Sequence, residues 1–321
     1  MRLTADRATF AVILLLTLAN RAGTTSQSQP DPAAAMARQS DEGSSGMVSS
    51  AHPLATEAGL EILRAGGNAF DAAVAIAAAL NVVEPAMSGL GGYGTILVYD
   101  ANAQRVQFLN SSGRIPAGVQ SDVFRAPAPN YLENRVSAKA VSTPGNLHAW
   151  EALSKKHGRL KWPQLFAPAI RLAKQGFVLG TGDASTIQSA FSDFPDHAKR
   201  IFGNDGKPLA AGERLVQLDL AASLQLVATR GASVLYGGEL GWAVDKAMRQ
   251  AEGFLSITDL KKDHVEWWDP IKIVYGGYEV YTASPPANAF DYLVRLGMMS
   301  RLDPKALGHN SAAYLHHFAE V

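Results

Sequence analysis

The stretch from Gly46 to Pro116 constrains the fold more than any other part of the 321-residue chain. Between Ala55 and Leu63, small and apolar residues recur at the i, i+3, i+4 spacing that places them on one helix face. Gly66-Gly67 then ends this helix, because glycine adopts the left-handed C-cap conformation without strain. Asn68 can cap a second helix, Ala69–Val83, which is apolar on nearly every side and is therefore predicted to be buried.

Strand patterns follow the buried helix. Pro85 ends that helix, and the continuously apolar, β-branched run Thr95–Tyr99 predicts a buried strand. A polar turn separates this strand from a partner over Arg105–Leu109. Later in the chain, Gly276-Gly277 joins two short strands in the pattern of a tight hairpin, and the middle of the chain is mostly helical. The sequence therefore predicts a mixed α/β protein.

A glycine-rich turn at Gly89–Gly94 matches the dinucleotide fingerprint G-x-G-x-x-G. That site requires a strand, then the glycines, then a helix whose N-terminus faces the pyrophosphate. Here the order is helix, glycines, strand, so the oxidoreductase interpretation fails and no nicotinamide cofactor is predicted. A structural turn is the favoured interpretation, and a turn that lines a pocket is the alternative.

Composition and residue spacing exclude several other classes. Lys+Arg and Asp+Glu both number 29, which leaves no global charge to attract nucleic acid. The chain has no cysteine, so disulfides, thiolate metal sites and cysteine nucleophiles are excluded. His316 and His317 are adjacent and point in different directions on a helix, and no histidine pair has metal-ligand spacing. We therefore expect no cofactor, no metal and no nucleic-acid partner.

The N-terminus has the pattern of an export signal. Basic residues precede a short apolar run, Ala8–Ala19, which is too short to span a bilayer. We expect residues 1–22 to be a signal peptide, residues 23–45 a flexible linker and residues 46–321 one folded region. The expected location is periplasmic or secreted, without stable membrane insertion. A cytosolic protein with a mis-assigned start is the alternative.

Arg114 is the candidate for substrate binding. It follows a predicted strand and the turn Ser111-Ser112-Gly113, and it comes shortly before Pro116. A guanidinium at a strand end can bind a substrate carboxylate through two parallel hydrogen bonds. An ordinary surface arginine is the alternative.

Seven blocks, in order along the chain, resemble the large subunit of the γ-glutamyltransferase (glutathione hydrolase) family. They are HPLATEAGLEILRAGGNAFDAAVA at 52–75, VVEPAMSGLGGYG at 82–94, STPGN at 142–146, LYGGEL at 235–240, GFLSITDL at 253–260, WWDPIKIVYGGYEVYTASPP at 267–286 and LGHNSAAYLHHFAE at 307–320. The resemblance implies an α/β fold, the α/β/β/α sandwich of N-terminal nucleophile hydrolases, present here as its incomplete, large-subunit part.

The same resemblance implies a mechanism and partners. The family's precursor cuts itself before a threonine, whose hydroxyl is then activated by its own freed α-amino group. The implied activity is transfer of a γ-glutamyl group to an amino acid or to water. The implied partners are a small-molecule γ-glutamyl substrate such as glutathione and the small subunit from the same precursor.

The arginine motif departs from the family pattern. In the family, the arginine that binds the substrate's α-carboxylate lies four residues before a proline. Taking Pro116 as that proline places Ser112 at the arginine position and Arg114 two residues later. Residues two apart in an extended segment point to the same face, separated by about 6.6 Å. Arg114 and Ser112 are therefore the predicted substrate-binding residues. A second departure follows Pro285-Pro286, where Ala-Asn-Ala-Phe replaces the family's usual Ser-Gly-Gly.

No catalytic residue is assigned within the chain. None of its threonines has the family's T-T-H context, so the resemblance places the nucleophile beyond Val321 and the 46–321 region is expected to be truncated before it. The chain is then either part of a longer precursor or an inactive product. The altered arginine position keeps three alternatives open, namely a related acylase, a polyglutamate-processing enzyme, or a non-catalytic binding or scaffold protein on the same fold.

Overall fold

The computed structural model describes residues 43–125, 135 and 137–321. The predicted signal peptide and most of the predicted linker lie outside the described residues, so both remain predictions. No helix within the described ranges is long and apolar enough to cross a membrane. The chain divides into two units, Met1–Met47 and Val48–Val321, and the architecture below is that of the second unit.

Helices are the most common secondary structure among the described residues of the second unit. In chain order the α-helices are α1 (Pro53–Arg64), α2 (Ala69–Val83), α3 (Asn146–His157), α4 (Trp162–Gln175), α5 (Thr181–Ala190), α6 (Asp196–Phe202), α7 (Leu218–Arg230), α8 (Glu239–Gln250), α9 (Ile257–Lys262), α10 (Phe290–Met299), α11 (Pro304–Leu307) and α12 (Ala312–Glu320). Short 3₁₀ turns lie at Ala138–Ala140, Phe191–Asp193 and Ala232–Val234.

The strands are short and pair antiparallel. They are β1 (Gly94–Asp100), β2 (Arg105–Ser111), β3 (Phe177–Val178), β4 (Gly203–Asn204), β5 (Lys207–Pro208), β6 (Arg214–Leu215), β7 (Glu266–Trp268), β8 (Ile271–Tyr275) and β9 (Tyr278–Thr282). One sheet has the order β1-β2-β7, and β3-β6, β4-β5 and β8-β9 form two-stranded pairs. The predicted hairpin is confirmed as β8-β9, joined by two glycines with positive φ.

The α1-α2 pair forms as predicted, and α2 lies at the centre of the core. Asn68 caps α2 by accepting hydrogen bonds from Phe70 N (3.0 Å) and Asp71 N (3.1 Å), while Asp71 Oδ2 accepts one from Asn68 N (3.0 Å). The helix spans Ala69–Val83 as predicted. Its small side chains let α1, α3 and α4 pack closely around it, and α4 packs in turn on α7.

The three-stranded sheet has one face on this helical core. Ile96 pairs with Leu109, and Leu109 with Trp267, so these side chains share a face and belong to the core cluster. Leu97 and Tyr99 point to the opposite face and are 43% and 60% exposed. The tryptophan pair at 267–268 lies in β7, which pairs with β2 on the side away from β1.

Sequence patterns located the strands near the site but not their ends. The first strand runs one residue further at each end than the predicted Thr95–Tyr99, and β2 continues from the predicted Leu109 to Ser111. The extra residues are polar or glycine, and they are held by ladder hydrogen bonds that local propensity does not report. The longer β2 brings Ser112 and Arg114 directly to the edge of the sheet.

Candidate active site

Arg114 lies in an extended segment whose backbone is fixed on both sides. Its carbonyl oxygen accepts a hydrogen bond from Thr143 N (2.9 Å), forming an isolated antiparallel bridge. Further along, Ala117 N donates to Asp259 Oδ1 (2.9 Å), and Asp259 is also the capping-box residue of α9 together with Ser256. Burial raises the pKa of the Asp259 carboxyl, but these hydrogen bonds outweigh it and hold the pKa below its ordinary value.

Two glycines let the neighbouring segments meet at this point. A Cβ on Gly113 would lie 2.5 Å from Ser142 Oγ and 2.7 Å from the Tyr93 ring, and one on Gly145 would lie 2.3 Å from the Ser111 carbonyl oxygen. Real Cβ atoms essentially never come within 3.0 Å of another heavy atom. The end of β2, the start of α3 and the Arg114 segment therefore converge because these positions have no side chain.

The guanidinium of Arg114 is surrounded by residues 263–266, which we call the arginine cradle. Nη2 donates to the His264 carbonyl oxygen (3.1 Å), contacts His264 Nε2 (3.1 Å) and lies 3.5 Å from Glu266 Oε2. Nε lies 4.0 Å from Asp263 Oδ1. His264 Nδ1 lies 3.0 Å from the Lys262 carbonyl oxygen, which can only accept. Nδ1 therefore carries the proton, and Nε2 is the acceptor for Arg114.

One edge of the guanidinium is left for a ligand. Nη1 of Arg114 forms no hydrogen bond with any residue in the described ranges, and the side chain keeps 40% of its surface exposed. A guanidinium offers its N–H groups in a planar fork that matches a carboxylate. Nη1 can therefore bind a ligand carboxylate while the arginine cradle holds Nη2.

A buried polar chain continues from the cradle into α3. The Asp263 side chain is only 1% exposed, and its Oδ2 accepts a hydrogen bond from His148 Nδ1 (2.7 Å). The His148 ring stacks on the Tyr236 ring with centroids 3.3 Å apart. Tyr236 donates its hydroxyl hydrogen to the Pro144 carbonyl oxygen (3.1 Å). Burial raises the pKa of Tyr236 well above its ordinary value, so the hydroxyl remains a neutral donor.

An open cleft of about 270 Å³ lies beside this chain and is lined by His148, Glu151, Lys155, Asp263 and His264 among others. Burial raises the pKa of Glu151, but hydrogen bonds from Lys155 and from Ala232 N outweigh it, so the net shift lowers the pKa. The cleft therefore has charges of both signs. Within residues 43–125, 135 and 137–321, no group of three or more acidic or histidine side chains is arranged to hold a metal ion.

The two predicted site residues have different hydrogen-bond partners. Arg114 joins the arginine cradle, whereas Ser112 has a backbone hydrogen bond from its N to Asn110 Oδ1 (3.1 Å) and no side-chain hydrogen bond to any described residue. The cradle and His148 were not predicted from the sequence. The run Asp263-His264-Val265-Glu266 was the available signal, since it places titratable residues between a capped helix and a strand.

The glycine-rich turn has the structural role that the sequence favours. Gly145 N and Asn146 N, at the start of α3, both donate to the Gly92 carbonyl oxygen (3.0 and 3.1 Å). The turn thereby caps a helix and sets the position of α3 relative to β1. Leu90 and Gly91 also line an apolar cavity of about 490 Å³, so the alternative of a pocket-lining turn holds for part of it.

The family model described as gamma-glutamyltranspeptidase matches residues 55–321. The chain belongs to the γ-glutamyltranspeptidase family. The match covers the N-terminal, large-subunit portion of that family, as the ordered blocks indicate. The arginine cradle and the His148–Asp263 pair both lie within the matched residues.

Similar proteins include both hydrolases and acylases. The glutathione hydrolase proenzyme of Bacillus subtilis (strain 168) is 36% identical over 81% of this chain and 45% of its own length. The acylase ACY 1 proenzyme of Pseudomonas sp. (strain V22) is 37% identical over 87% of this chain and 52% of its own length. The chain therefore spans about half the length of these curated relatives.

A solved structure confirms the predicted fold. The Helicobacter pylori gamma-glutamyltranspeptidase matches with a TM-score of 0.83 and 32% identity, covering 87% of this chain and 82% of that one. The predicted α/β fold of the N-terminal nucleophile hydrolase type, in its large-subunit part, is thus correct.

Proposed function

We propose that the protein containing this chain is a γ-glutamyltransferase or glutathione hydrolase, with this chain as its large-subunit part. The γ-glutamyl carbonyl is attacked by the hydroxyl oxygen of a threonine on the small subunit, and the amine leaves with a proton. Water or an amino acid then attacks the acyl-enzyme and restores the hydroxyl. The chain's own contribution is to bind and orient the substrate.

The observation that carries the proposal is the geometry of Arg114. Its Nη1 is unpaired among the described residues, while Nη2 and the backbone are held in place. A γ-glutamyl group has an α-carboxylate that such a group recognises. Hydrogen bonds to charged groups contribute about 1.5–3 kcal/mol each, enough to select a substrate with that carboxylate.

An acylase is the second candidate. Glu266 Oε2 lies 3.5 Å from Nη2, so a carboxylate of the chain already pairs with the guanidinium of Arg114. This arrangement weakens attraction for a ligand carboxylate and favours acyl groups without one. The similarity to the acylase ACY 1 proenzyme supports the same alternative. A non-catalytic scaffold is disfavoured, since the two relatives named above are proenzymes.

Turnover of paired substrates distinguishes these candidates. The full-length protein, expressed from its own gene, is assayed with the 4-nitroanilides of the γ-glutamyl group and of unsubstituted butanoic acid. We expect kcat/KM for the γ-glutamyl substrate to be higher by about 100-fold or more, because one strong charge-assisted contact is worth that much.

The possible results distinguish the γ-glutamyl enzyme, the acylase and the scaffold. Preference for the butanoyl substrate would identify an acylase. Release of nitroaniline from neither substrate, by a protein that has been processed into two subunits, would favour a scaffold. Product formation with an added free amino acid as acceptor would identify transfer in addition to hydrolysis.

A further inference from the structure

Asp263 is a buried carboxylate placed between two cationic or hydrogen-bonding side chains. Its Oδ2 lies 2.7 Å from His148 Nδ1, and its Oδ1 lies 4.0 Å from Arg114 Nε. Nε is buried and has no hydrogen-bond partner within the described part of the chain. A contact at 4.0 Å is an electrostatic attraction without a hydrogen bond, so the carboxylate attracts the guanidinium without holding it in direct contact.

The hydrogen bond from His148 limits how closely the Asp263 carboxylate approaches Arg114. An unpaired buried carboxylate is costly, and Asp263 would close on Arg114 if it had no other donor. The hydrogen bond from His148 occupies Oδ2 and leaves Oδ1 for the longer contact. His148 is fixed in turn by its stacking on Tyr236 and by the start of α3.

The backbone around Asp263 adds to this arrangement. Asp263 is the C-cap residue of α9, while Asp259 in the first turn of the same helix binds Ala117 N. One short helix therefore holds the Arg114 segment at one end and faces the guanidinium at the other. Asp245 Oδ1 accepts a hydrogen bond from Ile257 N (2.8 Å), which fixes the start of α9 against α8.

We propose that Asp263 and His148 are positioning residues that set the guanidinium of Arg114 for a substrate carboxylate. This inference rests on the proposed role of Arg114. Asp263 holds the Nε edge at a distance, the rest of the arginine cradle holds Nη2, and Nη1 remains available. Both residues act through Arg114, so we expect their loss to change substrate binding more than the chemical step.

Variants of the full-length protein test the assignment. Asp263→Asn keeps the shape and an acceptor for His148 but removes the charge beside Nε. His148→Ala frees the carboxylate, and His148→Gln restores an N–H donor. His197→Ala, at an exposed histidine in α6, is the matched control. Thermal unfolding followed by circular dichroism identifies any variant that fails to fold.

The first measurement is the split between KM and kcat on the γ-glutamyl anilide. We expect Asp263→Asn and His148→Ala to raise KM about tenfold and to change kcat by less than about twofold, the size of one weakened charge-assisted contact. His148→Gln should recover most of the wild-type KM, and His197→Ala should leave both constants unchanged. A lower kcat with an unchanged KM, in both Asp263→Asn and His148→Ala, would overturn the proposal.

The second measurement does not depend on turnover. Phenylglyoxal modifies arginine, and peptide mass spectrometry gives its rate at Arg114 relative to the exposed Arg200 in the same sample. We expect Asp263→Asn and His148→Ala to change the relative modification rate of Arg114 about threefold or more. Both variants alter how closely the guanidinium is held beside a carboxylate, and hence how readily phenylglyoxal reacts with it.

The two proposals fail in different ways. An unchanged KM in Arg114→Ala would refute the substrate-binding role itself. A raised KM in Arg114→Ala, with an unchanged KM and modification rate in both Asp263→Asn and His148→Ala, would refute only the positioning role.

Discussion

Arg114 differs from an ordinary surface arginine in how its three nitrogens are used. Nη2 makes hydrogen bonds to the arginine cradle, Nε faces Asp263, and Nη1 has no partner among the described residues. A flexible arginine loses considerable rotamer entropy when it binds a ligand. Holding one edge in advance reduces that loss, which would strengthen the proposed binding of a carboxylate at the remaining edge.

At this scale the sequence predicted Arg114 but not its surroundings. The arginine stands out because it follows a strand and precedes a proline. His264, which contacts it, lies 150 positions further along the chain, and Asp263 lies 115 positions beyond His148. Pairs so far apart leave no periodic pattern in a single sequence, so only the folded chain brings them together.

His157 predicts a pH dependence of stability. Its side chain is 9% exposed, its ring stacks on Phe70 with centroids 4.5 Å apart, and its buried Nε2 has no hydrogen-bond partner among the described residues. Burial lowers the pKa of His157 and the charge of Lys156 lowers it further, while Asp100 opposes both. The folded state therefore keeps the ring neutral at a pH where the unfolded chain takes up a proton.

Because the unfolded state binds more protons, the contribution of His157 is lost as the pH falls below its ordinary pKa of 6.5. Urea unfolding measures the free energy of unfolding at about pH 7.5 and about pH 5. Between these pH values it should fall more for the wild type than for His157→Phe, which keeps the ring contacts. His197→Ala should lose as much as the wild type. Identical losses in the wild type and His157→Phe would refute the prediction.

Local signals predicted α2 as a single helix with defined ends. Its N-cap, Asn68, makes side-chain hydrogen bonds and is part of a capping box. By contrast, α5 and α7 lie in the middle of the chain, where the sequence predicted helix without separate bounds, and neither has a side-chain N-cap hydrogen bond. Their stability comes from tertiary packing, such as that of α7 on α4, which a local pattern does not contain.

Asp71 joins α2 to the end of α3, and its removal should be costly. The fully buried carboxylate accepts hydrogen bonds from Asn68 N (3.0 Å), Arg159 N (3.0 Å) and Leu160 N (3.4 Å). Asp71→Ala leaves these donors without that acceptor, and we expect the free energy of unfolding to fall by about 3 kcal/mol.

Denaturant unfolding measures this loss. Asp219→Ala, at an exposed aspartate in the first turn of α7, is the control, and we expect it to cost less than about 1 kcal/mol. A loss in Asp71→Ala no larger than that of the control would show that the carboxylate is dispensable.

At the scale of the whole molecule, the order of the sequence blocks predicted the family, and the fold follows from it. The blocks extend from residue 52 to residue 320, and the family match covers residues 55–321. The apolar pattern of the core is spread over many positions and tolerates substitution. It can therefore be recognised in proteins that are only 32–37% identical to this chain. We propose that substrate choice depends on a few side chains around Arg114, and the similarity to both hydrolases and acylases does not determine it.

The substrate's α-carboxylate is the feature that Arg114 is proposed to recognise. The most direct test therefore removes the carboxylate from the substrate, the guanidinium from the protein, or both. The full-length wild type, Arg114→Ala and Arg114→Lys are compared on γ-glutamyl and 4-aminobutanoyl 4-nitroanilides, which differ only by the α-carboxylate. Arg200→Ala, at an exposed arginine in α6, is the control.

We predict that Arg114→Ala lowers kcat/KM about 100-fold on the γ-glutamyl substrate and less than about twofold on the 4-aminobutanoyl substrate. Arg114→Lys should fall between, since it keeps the charge but loses the planar fork. Equal losses on the two substrates would contradict recognition of the α-carboxylate by Arg114.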